Sequence, residues 1–155
     1  MKERKIKSAK EFMRTFLTED MWDDWLLVKA QIAGANTWDI DGRINREYYA
    51  GSGETEVPAG SYSLWADIRP FALSVIRGKR TPLSFMFILQ PPAQLYAEDA
   101  VSGSDRVCRI RFVEGSVLIA SAISMNSFSM DKEPERAWDR DLSAFLGANS
   151  IGYEE

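Results

Sequence analysis

Residues 107–123 read VCRIRFVEGSVLIASAI, and this stretch decides the fold. Two segments of alternating character flank Glu114-Gly115. Alternation with a period of two marks a strand, because successive side chains leave a pleated backbone on opposite faces. A two-residue link closes such strands into a hairpin, and both of its central residues take positive φ. Pairing outward from the turn sets Phe112 opposite Val117, Ile110 opposite Ile119 and Cys108 opposite Ser121. Arg109 and Arg111 then point to the other face with Leu118 and Ala120. Turn length and apolar pattern agree on one register, so the hairpin is well specified.

Upstream, TPLSFMFILQ (81–90) is apolar on both faces over its second half, which predicts a central strand covered on both sides. Pro91-Pro92 stops it, and residues 93–105 read as a polar connection. Leu26, Val28, Ala30 and Ile32 alternate with Leu27, Lys29 and Gln31, another strand. A bulge or bend is expected at Gly34, a hairpin turn at Asp41-Gly42, and a return strand over INREYY. GSGETEVPAG (51–60) is a loop by composition.

Three helices surround these strands. Ser8 and Glu11 form a capping box ahead of a face carrying Phe12, Phe16, Met13 and Leu17. Leu64, Ile68, Ala72, Val75 and Ile76 form a second stripe, with a kink expected at Pro70 and a left-handed stop at Gly78. Trp138, Leu142, Phe145 and Leu146 form the third, begun at Pro134 between two glutamates and ended at Gly147. The basic start MKERKIKSAK reads as a solvated terminus. The order is α-β-β-α-β-β-β-α, an α+β fold: a mostly antiparallel sheet with about three helices on one face, in one domain over 1–155.

Composition narrows the chemistry. The chain has no histidine, which removes the commonest general base and rules out Ser-His-Asp and Cys-His catalysis. Cys108 is the only cysteine, so no internal disulfide forms, and a zinc site built from one cysteine and carboxylates would be rare. No cofactor or metal is expected. No apolar run is long enough for a membrane helix, and a signal-peptide core is lacking, so a cytoplasmic location is expected. The net charge of −4 favours no partner class.

SAKEFMRTFL, NTWDIDG, LWADIRPFALSVIRGKRTP and SFSMDKEPERAWDRDLSAFL together resemble a small family of bacterial proteins of unknown function. The resemblance spans most of the chain and implies no activity. A fainter likeness, through the helix–strand-pair order and the IDG wording, is to one repeat of a DNA sliding clamp. That likeness implies that Lys7, Lys10, Arg14, Arg69 and Arg77 would face a duplex. The terminal helix departs from the clamp pattern, and a clamp subunit needs two or three such repeats.

Trp65 and Arg69 lie four apart on one helix face, and Lys79 and Arg80 follow the helix end. One reading stacks Arg69 on Trp65 and sets the two basic residues against the helix dipole. The other makes the four an anion-binding edge with an aromatic platform, which Arg109 and Arg111 enlarge if the outer sheet face is open. TWDIDGRINREY lacks the closing glutamate of a calcium loop, having Tyr48 there. The acid pairs Glu133/Glu135 and Asp139/Asp141 read as solvated charge, as do Asp23-Asp24 unless one of them caps a local turn, and Cys108 reads as a buried thiol. The leading expectation is a non-catalytic intracellular binding module whose partner is a protein or a second copy of the chain. The alternatives are a small-molecule anion binder or histidine-independent enzyme, and a nucleic-acid-associated protein.

Overall fold

The computed structural model describes residues 2–50, 60–78, 80–95, 106–123 and 132–154. Lys79, nearly all of the 51–60 loop and most of the 93–105 connection therefore lie outside the described residues.

The hairpin forms in the expected register. Strands β6 (Arg106–Val113) and β7 (Ser116–Ile123) pair Phe112 with Val117, Ile110 with Ile119 and Cys108 with Ser121. Glu114 has φ 51° and Gly115 φ 80°, the left-handed pair that a twisted two-residue hairpin demands.

Around it, among the described residues, grows an antiparallel sheet of eight strands, and three helices pack on one face, giving the α+β class. The remaining strands are β1 (Lys2–Ile6), β2 (Leu26–Ala33), β3 (Thr37–Asp41), β4 (Ser63–Leu64), β5 (Ser84–Gln90) and β8 (Tyr153–Glu154). Their order is β3-β2-β5-β6-β7-β1-β8, with β4 attached to the start of β2. The helices are α1 (Ala9–Thr18), α2 (Trp65–Ile76) and α3 (Glu133–Ala148). Ser8 caps α1 by accepting the Glu11 N–H, as the capping box requires. Trp138, Leu142, Phe145 and Leu146 form the buried stripe of α3.

The core is rich in aromatic rings. Phe16 stacks on Trp65 with ring centres 4.4 Å apart, and Trp22 lies 4.6 Å from Trp25. From the sheet, Leu27, Ala30, Ile32, Phe85, Phe87, Leu89, Cys108, Ile110, Val117 and Ile119 face these rings. Fully burying a side chain of this size contributes roughly 1.5–3 kcal/mol, so the shared core holds helices and sheet together.

Several expectations are corrected. The basic start is not a solvated terminus: residues 2–5 pair with β7, and Arg4 and Ile6 are buried. The β2–β3 hairpin turns at Gly34-Ala35-Asn36, not at Asp41-Gly42, and the return strand is Thr37–Asp41. INREYY holds a short 3-10 turn at Arg46–Tyr48 in place of a strand. Gly42 answers a different need: a Cβ there would sit 1.7 Å from the Leu27 carbonyl oxygen. The chain does bend at Gly34, as expected, and a separate β2 bulge between Leu27 and Lys29 shifts the phase and turns Leu27, with Ala30 and Ile32, inward. Among the described residues, strand β5 is central but covered on one side only, leaving Met86 and Ile88 half-buried on the other. Helix α2 runs through Pro70 without a break, ends at Ile76 ahead of an extended Arg77, and turns Leu64 outward. Gly78 is not left-handed, and α3 passes through Gly147 before Ser150 takes φ 58°.

Candidate functional site

The residues expected to form one anionic edge are spread over three places. Trp65 is fully buried, stacked on Phe16, and its indole N–H donates to the Phe16 carbonyl at 3.0 Å. It offers no platform to a ligand. Arg69 turns to Asp23, donating through Nε at 3.0 Å and Nη2 at 2.9 Å. This two-point ion pair ties α2 to the segment entering β2. Asp23 is thereby a structural partner rather than a solvated charge. Arg109 and Arg111 lie on the uncovered face of the sheet, as their register requires, and both donate to Glu3 of β1 at 3.0–3.1 Å. One carboxylate thus neutralises part of each guanidinium.

Arg80 stands elsewhere. It lines a cleft of about 430 Å³ between the β2–β3 hairpin, the end of α2 and the connection into β5. The sequence reading assigned Arg77 only through the clamp likeness and missed Trp38; the structure brings both to this cleft. Helix α2 ends at Ile76, and Arg77 turns extended, setting its side chain at the rim. The Gly34 N–H donates to the Asn36 carbonyl at 2.9 Å and closes the hairpin, while the Leu83 N–H donates to the Ala33 carbonyl at 2.8 Å and clips the β5 connection beside it. Those two bonds place Trp38 and Leu83 on the same opening. Trp38 is 54% exposed and Leu83 76% exposed, whereas Trp22, Trp25, Trp65 and Trp138 have no exposure at all.

The electrostatics of the cleft are one-sided. Among the described residues no Asp or Glu lines it. Among the described residues neither Arg77 nor Arg80 makes a side-chain hydrogen bond or ion pair, although other arginines do: Arg4 with Asp139, Arg14 with Glu19, Arg43 with Asp41, and Arg140 with Glu133. Asp41 is held below the usual carboxylate range, first by the Arg43 backbone N–H. Guanidinium groups beside an indole and short apolar side chains can bind an anionic group carried on an apolar or planar body.

A larger hollow, about 590 Å³, lies between the end of β7 and α3, lined among others by Ser121, Glu135, Asp139 and Arg140. Among the described residues its charges are mostly committed, Arg136 apart. Asp139 Oδ1 accepts from Arg4 at 2.7 Å and from Ser121 at 2.8 Å, Arg140 pairs with Glu133, and Glu135 lies within 3.9 Å of Lys132. The smaller cleft therefore has the more available chemistry.

Among the described residues no helix is long and apolar enough to cross a membrane, and no group of three or more acids or cysteines is placed to hold a metal ion. Neither a curated protein nor a solved structure matches the chain. The model of a family of unknown function, DUF5721, matches residues 15–154, so the chain belongs to that family.

Proposed function

We propose that this protein is a non-catalytic binding module that takes an anionic group of its partner in the cleft between Trp38, Arg77 and Arg80. The single observation behind this reading is that, among the described residues, two arginines without partners stand beside the exposed tryptophan in a cleft that no acid lines. Arg69, Arg109 and Arg111 each face a carboxylate, whereas Arg77 and Arg80 meet none among the described residues. Leaving two unpaired around an exposed indole has no folding benefit that the contacts reveal. Tryptophan and arginine are also the residues on which binding energy concentrates in protein interfaces.

Binding is favoured over catalysis by what lines the cleft. Arginine stays protonated at any working pH, so it attracts an anion but does not shuttle a proton. Asn36 and Thr81 add hydrogen-bonding groups, and no lining side chain titrates near neutrality. The buried free thiol of Cys108 fits a reducing compartment, and a cytoplasmic location is part of the proposal.

A thermal-shift series with pyrophosphate, tripolyphosphate, citrate and polyglutamate tests the reading. A ligand that binds only the native state raises its melting temperature. The expected result is a rise with at least one of these anions, lost in Arg77→Gln/Arg80→Gln and kept in Arg109→Gln/Arg111→Gln. A flat response to every anion, or a shift that survives the first double variant, defeats the assignment.

A further inference from the structure

We propose that the occupant of this cleft is an extended acidic segment of another polypeptide, which joins the sheet as a further strand along β3. The inference rests on the binding reading above and names the partner class. Strand β3 is the sheet's margin: β2 pairs with one side, and no strand of the described residues pairs with the other. Its ladder to β2 runs without a bulge from Thr37 to Asp41, and it contains neither proline nor lysine. A regular margin strand directs alternate backbone N–H and C=O groups outward, ready to pair. The opposite margin differs, because β8 covers Lys5 and Ile6 of β1.

The side chains then state what can pair. Trp38 and Ile40 share the helix-side face with Ile32 and Ala30, and Trp38 opens onto the cleft with Arg77 and Arg80. Asp39 and Asp41 share the other face, opposite Gln31 and Lys29. An added strand lays every second side chain beside Trp38, where acids meet the two guanidiniums. The intervening side chains lie on the face of Asp39 and Asp41, where Lys29 and Arg43 offset the two carboxylates and no excess cation draws acids. The charges therefore select a partner whose acids alternate with neutral or basic residues and so lie on one face. A partner with acids in blocks fits worse at equal net charge.

The test uses the full chain and reads the fluorescence of Trp38, the exposed member of its five tryptophans. Four probes are compared: a peptide alternating glutamate and threonine, the same composition arranged in blocks, the alternating peptide N-methylated at every second amide, and an oligothymidylate of equal charge. The expected order is tightest binding by the alternating peptide, weaker by ~tenfold or more for the blocked and N-methylated forms. Arg77→Gln/Arg80→Gln should weaken the alternating peptide by a similar factor while its melting temperature stays that of the wild type. Equal binding of all three peptides, dependent on both arginines, overturns strand addition and leaves the anion cleft standing. Binding of oligothymidylate alone makes the partner a nucleic acid and overturns the proposal. A chain that sediments as a dimer through β3 gives the margin to a second copy, with the same consequence. If no probe binds and no anion shifts the melting temperature, both readings fall together.

Discussion

At the scale of single residues, Arg4 and Cys108 show how much the interior asks of polar groups. Arg4 is 1% exposed, and its Nη2 donates to Asp139 Oδ1 and, at 2.6 Å, to the Ser143 hydroxyl, while its guanidinium lies 5.5 Å from the centre of the Tyr153 ring. The pair ties β1 to α3. Arg4→Met leaves the Asp139 carboxylate, 23% exposed and still held by the Ser121 hydroxyl, without its cation, so the change should cost about 1–3 kcal/mol in urea unfolding. Replacing both partners, Arg4→Met with Asp139→Leu, should recover part of that loss. No recovery would mean that packing, not charge, dominates the site. Burial pushes the Cys108 thiol up to about 12, against the opposing pull of nearby Arg4. Its folded value lies above the ordinary 9.0, so the unfolded chain releases the proton first. The stabilising contribution is complete below pH 9.0 and fades as pH climbs through the window up to about 12. The stability gap between wild type and Cys108→Ala should narrow over that window. A thiol reagent should label the native chain only as fast as it opens; rapid native labelling would contradict the burial.

At the scale of elements, the two hairpins were unequally legible. In β6–β7, Glu114-Gly115 sits between segments whose apolar residues oppose each other in one register only, and local pattern decided the outcome. In β2–β3, Asp41-Gly42 has the strongest local turn wording, yet the chain turns earlier, at Gly34-Ala35-Asn36. Tertiary demand explains the glycine: only a residue without a Cβ lets the backbone at 42 approach Leu27, with the Gly42 N–H donating to the Val28 carbonyl at 3.0 Å. The β6–β7 turn also carries a removable strain. Glu114 is held in the left-handed region that costs most side chains roughly 1–2 kcal/mol. Glu114→Asn should therefore raise the melting temperature and stabilise by up to about 1 kcal/mol, because asparagine tolerates that conformation. Gly115→Ala should destabilise by about 1–2 kcal/mol. Equal, negligible effects of the two changes would show that the turn relaxes without strain.

At the scale of the whole molecule, the sheet is closed at one margin by sequence-distant segments. Strand β1 pairs with β7, and β8 then pairs with β1, so residues 2–6 hold the end of the chain in place. The Lys7 N–H also donates to the Gly152 carbonyl at 2.9 Å. Beginning the chain at Lys7 would remove Arg4 and Ile6 from the interior, bare the margin of β7 and leave β8 without a seat. The expected result is loss of a cooperative thermal transition and of near-ultraviolet circular dichroism. A chain lacking residues 1–6 that melts like the wild type would show this margin to be dispensable. The candidate cleft lies at the opposite margin, by β3.

The amino-acid sequence determined whatever depends on near neighbours: the β6–β7 register, the α1 cap, the buried stripe of α3 and the α+β class. Periodicity and turn chemistry act over a few residues and are written in order along the chain. Only the tertiary structure decided which polar groups are spoken for. Arg69 meets Asp23 from 46 positions away, and Arg109 meets Glu3 from 106. By the same route Trp65 went into the core while Trp38 stayed at the surface beside Arg77 and Arg80. Burial and ion pairing are properties of distant segments brought together, and no local pattern encodes them.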